Sequence, residues 1–237
     1  RKPDHVETYN NLGTVLKNQN RFDEAIANYK RAISLKPDYA EAYYNLANSY
    51  RGQRRLDDAL ENYCKAIDSN PMHVEALNNL GVTLKEQGRL DEALLIHNRV
   101  IRLRPDYAEA HNNNGIVLQE LGMLREALKA FDKAIVSKPD YAEAHFNRSM
   151  ALLLAAQFDE AWPEYEWRLR TKTYGLRTFQ QSKWDGSLLD GQTIFVHSEQ
   201  GLGDTIQFVR YLPMIKSQGG RVIFECYPSL YLLLREC

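Results

Sequence analysis

Five prolines divide most of the chain into segments of equal length. They stand at Pro3, Pro37, Pro71, Pro105 and Pro139, so each lies 34 residues after the one before it. The hexad that begins at Pro37, Pro-Asp-Tyr-Ala-Glu-Ala, recurs unchanged at Pro105 and Pro139, and degenerate copies begin at the other two prolines. A fixed period of 34 residues is typical of helix–turn–helix arrays, in which each unit buries its apolar face against its neighbours.

The hexad also predicts how each unit begins. Proline does not continue the helix before it, and it pushes the preceding residue towards extended geometry. Asp38 is then predicted to be the N-cap of a new helix, and Glu41, three residues later, completes a capping box. The same spacing recurs at Asp4/Glu7, Asp106/Glu109 and Asp140/Glu143.

Aligned copies of the unit show columns that hold one kind of side chain. Columns are counted from the starting residues Val6, Ala40, Val74, Ala108 and Ala142. Column 20 is always alanine, and column 24 is mostly aromatic: Tyr29, Tyr63, His97, Phe131 and Tyr165. Small residues in columns 8 and 20 would let two antiparallel helices approach closely, and large residues in columns 4 and 24 would fill the gaps beside them.

These columns resemble the tetratricopeptide repeat over roughly the first three quarters of the chain. The resemblance implies five repeats, over residues 1–173, that stack into a right-handed α-solenoid with a concave side. It also implies that the array binds a protein or an extended peptide on that side. Because the chain starts within a repeat, we expect it to be a piece of a longer protein.

Column 6 is asparagine in every repeat, although asparagine is a mediocre helix former. Neighbouring first helices should lie about 10 Å apart, so one amide would meet every third residue of an extended peptide. An amide offers a donor and an acceptor to a peptide backbone of any sequence. The repeats also resemble those of the protein O-GlcNAc transferases, which implies a peptide-binding ladder. The alternative is that these amides bond within the scaffold. The column reads Asn11, Asn45, Asn79, Asn113 and Asn147.

The repeats stop after the fifth copy. Its second helix carries Pro163, which is predicted to lie near the helix start, where proline is tolerated. Column 32, proline in the earlier repeats, is Thr173. We therefore place a linker at 174–190 after the array.

Beyond Trp184 the pattern becomes that of strands alternating with helices. We predict a strand at Thr193–His197, a helix at 205–216, a strand at Arg221–Glu225 and the start of a helix at 229–235. This order predicts a parallel α/β sheet, and two strands do not complete one. The predicted fold is therefore mainly α, a tetratricopeptide solenoid followed by a truncated Rossmann-like α/β unit over residues 191–237.

The stretch 197–208 resembles the start of bacterial glycosyltransferases that are fused to tetratricopeptide repeats. Its Gly-x-Gly-Asp-x-Ile segment resembles the acceptor loop of the heptosyltransferases, which are two-domain enzymes of the GT-B type. The resemblance implies a bacterial protein in which Asp204 is the catalytic base and Gly201 and Gly203 shape the loop. The donor, a nucleotide sugar, would bind a second domain that this chain lacks. We therefore expect no cofactor and no catalysis from this chain alone.

Three alternatives remain open at this stage. Asp204 and Gln207 also have the spacing of a capping box. The loop could instead begin a dinucleotide-binding domain with Glu225 on the ribose, although Ile206 stands where the third glycine belongs. The whole protein could be an interaction scaffold without enzymatic activity, so its status as an enzyme stays undecided.

Composition limits the other classes of function. The net charge of −1 and the pI near 6.7 predict no attraction to nucleic acid or to an anionic membrane, and no apolar run approaches the ~20 residues of a membrane span. Three widely spaced cysteines favour a reducing compartment, hence the cytoplasm. The five histidines within residues 1–173 lack metal-ligand spacing, so we predict that they pack and that there is no metal site. The residues are Cys64, Cys226 and Cys237, and His5, His73, His97, His111 and His145.

Overall fold

A computed structural model describes residues 5–171, 179–199 and 201–235. The chain forms two compact units with their boundary between residues 176 and 177, and each unit is described here by itself. The predictions made for Pro3, Asp4, Thr173 and Cys237 lie outside the described residues.

The first unit is an array of antiparallel helix pairs. Each helix packs against the next one in sequence, and the first helices of neighbouring repeats also approach one another at α1 and α3, α5 and α7, and α7 and α9. The predicted helical solenoid is therefore confirmed. The helices are α1 (Val6–Asn18), α2 (Phe22–Leu35), α3 (Ala40–Gly52), α4 (Leu56–Ser69), α5 (Val74–Glu86), α6 (Leu90–Leu103), α7 (Ala108–Glu120), α8 (Leu124–Ser137), α9 (Ala142–Leu154) and α10 (Phe158–Tyr165).

Within each repeat, a small residue of the first helix receives a ring from the second. A Cβ atom added to Gly13 would lie 2.6 Å from Cε1 of Tyr29, and one added to Gly115 would lie 2.6 Å from Cε1 of Phe131. No side chain larger than hydrogen fits at those distances without movement of the ring. The alanines of column 20 are fully buried beside these contacts. Close approach of the paired helices therefore depends on columns 8, 20 and 24 together.

The predicted capping boxes are wrong by one residue. The N-cap of α3 is Tyr39, which has no side-chain cap, so Asp38 lies one position outside the helix. Instead, a cation covers the tyrosine ring that begins the repeat, as Lys36 does over Tyr39 at 5.3 Å and Arg104 over Tyr107 at 5.0 Å. These cation–ring contacts lie in the turn between one repeat and the next. In the third repeat His73 is the N-cap, and its Nδ1 accepts from the N–H of Ala76 at 3.4 Å.

The polar contacts between repeats change along the array. Between the first three repeats, Gln53 donates to Asp23 at 2.8 Å and Gln87 donates to Asp57 at 2.7 Å. In the fourth and fifth repeats the residue in column 7 is no longer leucine, and its polar side chain bonds to the residue in column 25 of the preceding repeat. The Nδ2 of Asn114 donates to Oδ1 of Asn98 at 3.0 Å, and Nε of Arg148 donates to Asp132 at 2.7 Å. Each of these boundaries between repeats therefore has its own pair of hydrogen-bonded polar side chains.

The array changes geometry after Tyr165, where α10 gives way to a 3-10 turn over Glu166–Arg170. Column 27 also changes here, because it holds fully buried alanine or valine in the earlier repeats and Arg168 in the fifth. Nη1 of Arg168 donates to the carbonyl of Tyr165 at 3.2 Å and to Glu166 at 3.0 Å. Pro163 lies inside α10, not at its start as predicted, and its missing N–H weakens the same segment.

The second unit contains a two-stranded parallel sheet. Strands β1 (Thr193–His197) and β2 (Arg221–Glu225) have the predicted bounds, and Phe195 pairs with Ile223 in their register. The predicted helix between them is divided into α11 (Leu202–Phe208) and α12 (Leu212–Lys216), joined by a 3-10 turn. A further helix, α13 (Tyr231–Leu234), follows β2.

The described part of the stretch predicted as a linker belongs to the second unit. The N–H of Leu189 donates to the carbonyl of Gln218 at 3.0 Å, and that of Gly191 donates to the carbonyl of Gly219 at 2.8 Å. Residues 189–191 therefore bond to the turn before β2. A small parallel β-α-β arrangement is what this unit shows, and its assignment to the Rossmann-like class stays a prediction.

Candidate functional site

The column-6 asparagines bond from each repeat to the one before it. The Nδ2 of Asn45 donates to Oδ1 of Asn10 at 3.1 Å. The same bond joins Asn113 to Asn78 at 3.1 Å and Asn147 to Asn112 at 2.9 Å. The acceptors all belong to column 5 of the preceding repeat, 35 residues earlier in each pair. The amides therefore form a series of hydrogen bonds along the first helices, and in each bond the later repeat is the donor.

The asparagine of the third repeat also donates to the preceding repeat, but to different partners, because column 5 of the second repeat is Tyr44. The Nδ2 of Asn79 donates to Oδ1 of Asn48 at 2.9 Å and lies 3.4 Å from the hydroxyl of Tyr44. The hydroxyl of Tyr63 also donates to Asn48 Oδ1, at 2.6 Å. Burial raises the pKa of Tyr63 to about 12, so this hydroxyl keeps its proton at neutral pH.

The opposite end of each amide remains available. In the part of the chain that the structure describes, the Oδ1 atoms of Asn45, Asn79, Asn113 and Asn147 accept no hydrogen bond from the protein. Asn45 is buried, with 7% of its surface exposed, and the other three are half-buried. Asn11 is exposed. In these four asparagines, Nδ2 thus bonds to the scaffold and Oδ1 remains an unused acceptor.

Column 5 is the signal that the sequence analysis missed. It holds Asn10, Asn78 and Asn112, directly before three of the column-6 asparagines. The Asn-Asn pairs were visible as repeated dipeptides. Their meaning required knowing which first-helix residues meet across a repeat boundary, and the period alone does not supply that register.

Carboxylates form another row on the first helices, at column 2, four residues before each asparagine of column 6. Glu75 lies 3.3 Å from Nη2 of Arg104, and Glu41 lies 3.4 Å from Nε2 of His73. Glu109 and Glu143 are half-buried and form no ion pair with any described residue. Burial first, and then the charge of Glu109, raises the pKa of Tyr141.

The histidines serve packing and scaffold bonding. His97 is fully buried in the aromatic column, whereas His111 and His145 each place Nε2 within 2.9 Å of a proline carbonyl. His145 also lies 2.6 Å from Oε2 of Glu164 and stacks on Trp167 with ring centroids 3.8 Å apart. Across residues 5–171, 179–199 and 201–235, no group of three His, Cys, Asp or Glu side chains could hold a metal ion.

Comparison with protein families identifies the array of helix pairs. The tetratricopeptide repeat family matches residues 44–108 and 112–167, together just over half of the chain, and a second model described as TPR repeat matches residues 13–53. The chain belongs to the tetratricopeptide repeat family. These matches lie within the first unit. A search of curated proteins gave no match.

Solved tetratricopeptide structures share the fold of the first unit. A thermophilic TPR protein from Thermus thermophilus, TTC0263, is 26% identical with a TM-score of 0.59, over 71% of this chain and 92% of its own. YrrB, described as a TPR protein with an unusual peptide-binding site, is 24% identical with a TM-score of 0.57, over 71% and 87%. MamA from Desulfovibrio magneticus RS-1 is 17% identical with a TM-score of 0.64, over 73% and 100%.

Outside the tetratricopeptide repeats, the candidate residues of the second unit lie on the loop and helix after β1. The N-cap of α11 is Gly201, and Asp204 is the third residue of that helix. The predicted capping box of Asp204 and Gln207 is therefore wrong, since the helix begins at Leu202. Asp204, Gly201 and Gly203 are exposed, and a Cβ added to Gly203 would meet no atom within 4 Å.

The tetratricopeptide helices are also too short or too polar to cross a bilayer. None of the helices in the described ranges combines the length and the apolar character that a membrane span requires.

Proposed function

We propose that the tetratricopeptide array binds an extended segment of a partner protein along the face formed by its first helices. The observation that carries this proposal is the row of four column-6 amides in the second to fifth repeats, each held by a bond to the preceding repeat and each with an unused Oδ1. An extended peptide has backbone N–H groups that need acceptors. The amides are already oriented, so little side-chain entropy is lost when they bind.

The first-helix side is the side on which a long ligand meets many repeats at once. First helices approach one another between neighbouring repeats, as α1 does with α3 and α7 with α9. These contacts support the proposal that the first helices line the inner, concave side of the array. At helix spacings of about 8–10 Å, successive amides match every third residue of an extended chain. The tetratricopeptide protein YrrB, whose description names an unusual peptide-binding site, supports the choice of a peptide as the ligand.

A matched pair of variants tests the role of the amides. Asn112→Ala and Asn147→Ala both break the bond of 2.9 Å between these residues, but only Asn147→Ala removes a column-6 amide. Each should lower the free energy of unfolding by about 1 kcal/mol. Asn147→Ala should weaken binding of labelled peptides from a random extended library, measured by fluorescence anisotropy, more than Asn112→Ala does, because Asn112→Ala keeps the column-6 acceptor and loses only the bond that orients it. Equal binding by both variants would show that column 6 serves the scaffold alone.

The second unit supports a second candidate function, the transfer of a sugar to an acceptor that the array presents. The observation that favours it is an exposed carboxylate, Asp204, that follows the last residue of the parallel strand β1 by seven residues, since α/β sheets bind their ligands at the carboxyl ends of such strands. By the glycosyltransferase resemblance, Asp204 would take the proton of an acceptor hydroxyl, and a nucleotide sugar would be the donor. The free carboxylate is compatible with that role.

The role of Asp204 as a catalytic base should be tested in the natural protein that contains this sequence. Asp204→Asn keeps the shape of the side chain but removes its basicity, so sugar transfer from a nucleotide donor should fall by about 10²–10⁴-fold. Transfer by the Asn variant at the wild-type rate would exclude Asp204 as the base. Absence of transfer by the wild type would leave the array as an interaction scaffold.

A further inference from the structure

Three kinds of side chain follow one another on the first helices of the later repeats. In the fourth repeat they are Glu109, Asn113 and Ile116, at positions i, i+4 and i+7 of α7. This spacing places the three on one face of the helix. The same order occurs in α9, with Glu143, Asn147 and Met150. Column 9, the third position, is aliphatic or methionine only from the third repeat onwards, at Val82, Ile116 and Met150. We call these three residues the apolar row.

The first two repeats show what column 9 does when it is polar. Thr14 Oγ1 accepts from the hydroxyl of Tyr29 at 3.3 Å, and Asn48 accepts from that of Tyr63 at 2.6 Å. In the third and fourth repeats column 24 holds His97 and Phe131, which have no hydroxyl to satisfy. In the fourth repeat, therefore, Phe131 has no polar atom that Ile116 would need to satisfy.

Packing does not bury the apolar row completely. Val82 and Ile116 are only half-buried, and Met150 is 36% exposed. The row therefore presents apolar surface beside the amide oxygens of Asn113 and Asn147.

Two carboxylates, one in each helix, precede the asparagines of α7 and α9 by four residues, whereas the apolar row follows them by three. Glu109 and Glu143 form no ion pair with a described residue, unlike Glu75, which pairs with Arg104 at 3.3 Å. Arg148, the arginine of α9, is engaged by Asp132 at 2.7 Å and by Glu164 at 3.4 Å. The two free carboxylates are half-buried, so a cation that reaches them is less screened than at an open surface.

We propose that the last three repeats select an extended cationic segment with a period of three residues, in which an aliphatic side chain meets the apolar row and an adjacent Lys or Arg meets Glu109 or Glu143. This inference rests on the proposed binding of an extended segment to the first helices. A polyproline-II backbone has three residues per turn and rises about 9 Å per turn, close to the helix spacing of about 8–10 Å. Each repeat would then meet the same kind of side chain, and Oδ1 of each asparagine would meet the same backbone position.

Peptides of one composition and different order test the period. One labelled peptide of about twelve residues repeats Leu-Lys-Ser, and a second contains the same residues in shuffled order. The periodic peptide should bind about tenfold more tightly in anisotropy titrations, and added salt should reduce the difference. Equal affinity of the two peptides would overturn the proposed period. Binding of both, with loss of both in Asn147→Ala, would leave the proposed function intact.

Variants of the array test the two side-chain rows. Glu109→Gln with Glu143→Gln keeps the shape and removes two charges, so the Leu-Lys-Ser peptide should bind about fivefold to thirtyfold more weakly. The matched control Glu7→Gln makes the same change in column 2 of the first repeat and should leave its affinity unchanged. Unchanged affinity in the double variant would contradict the role of the carboxylates.

The apolar row has a control of its own. Ile116→Thr introduces the residue that column 9 carries in the first repeat, and it should weaken the same peptide about threefold to tenfold. Val136→Thr makes a similar change at a residue of α8 that is 81% exposed, and it should have no effect. Thermal unfolding of each variant separates lost binding from lost folding. Equal binding by both threonine variants, with folding intact, would overturn the role of the apolar row.

Discussion

The ring of His97 occupies the space that a side chain at residue 81 would need. A Cβ atom added to Gly81 would lie 2.7 Å from Cε1 of His97, which is fully buried. Neither ring nitrogen has a hydrogen-bond partner among the residues that the structure describes. Burial lowers the pKa of His97 to about 4. His97 is therefore a neutral ring in a column that holds Tyr29, Tyr63 and Phe131 elsewhere.

His97 should make the array sensitive to acid. The unfolded chain binds a proton at His97 near pH 6.5, and the folded chain binds it only near pH 4. Between those values unfolding takes up one proton, so stability from this group is present above pH 6.5 and falls as the pH is lowered towards 4. The loss should be on the order of 3 kcal/mol. Urea unfolding of wild type and His97→Phe across this range measures it.

The comparison with His97→Phe isolates one group, because the acidic side chains titrate alike in both proteins. The Phe variant should lack the extra loss between pH 6.5 and 4. It should also be at least as stable at neutral pH, since it buries no unpaired ring nitrogen. Parallel pH profiles for the two proteins would contradict a neutral, buried His97.

The contact between Gly115 and Phe131 predicts a strongly coupled pair. Gly115→Ala places a methyl group 2.6 Å from Cε1 of Phe131, and overpacking of this kind costs about 1–3 kcal/mol. Phe131→Leu removes the ring edge but leaves a cavity. The double variant should recover part of the loss, so a double-mutant cycle should give a coupling above about 1 kcal/mol, within the range for residues in contact. Additive losses would show that the methyl group is accommodated elsewhere.

The polar pair at the boundary of the third and fourth repeats predicts a compensating substitution. Asn114→Leu alone removes the donor to Asn98 and leaves that amide without its partner, at a cost of about 1 kcal/mol. Asn98→Cys with Asn114→Leu recreates the combination of Cys64 and Leu80 found one repeat earlier. Chemical denaturation should therefore show the double variant to be more stable than Asn114→Leu. A double variant that is less stable would mean that the two positions are not interchangeable between repeats.

The period and the column chemistry predicted the repeat fold because each depends on local spacing. Proline every 34 residues, alanine in column 20 and aromatics in column 24 fix the helix pairs and their close contact. The caps were predicted one residue early, because Asp38 and Glu41 have the spacing of a capping box whereas the helix begins after Tyr39, and the cation over Tyr39 was not visible in sequence. The bonds of Asn113 and Asn147 depend on the register between repeats, which arises only on stacking.

The end of the array yields the last prediction. Column 27 is fully buried alanine or valine in four repeats and a buried arginine, Arg168, in the fifth, where the backbone forms a 3-10 turn, so we expect the larger side chain to end the α-helix. Arg168→Ala should let α10 continue through about residue 170, as second helices do in the other repeats. Backbone chemical shifts of Glu166–Arg170 should move to α-helical values, and Trp167 should leave His145, on which it now stacks at 3.8 Å.

Arg170→Ala is the matched control, because its exposed side chain lies over Trp167 and outside column 27. If Arg168→Ala keeps the 3-10 shifts and Pro163→Ala removes them, the missing N–H of the proline ends the helix instead.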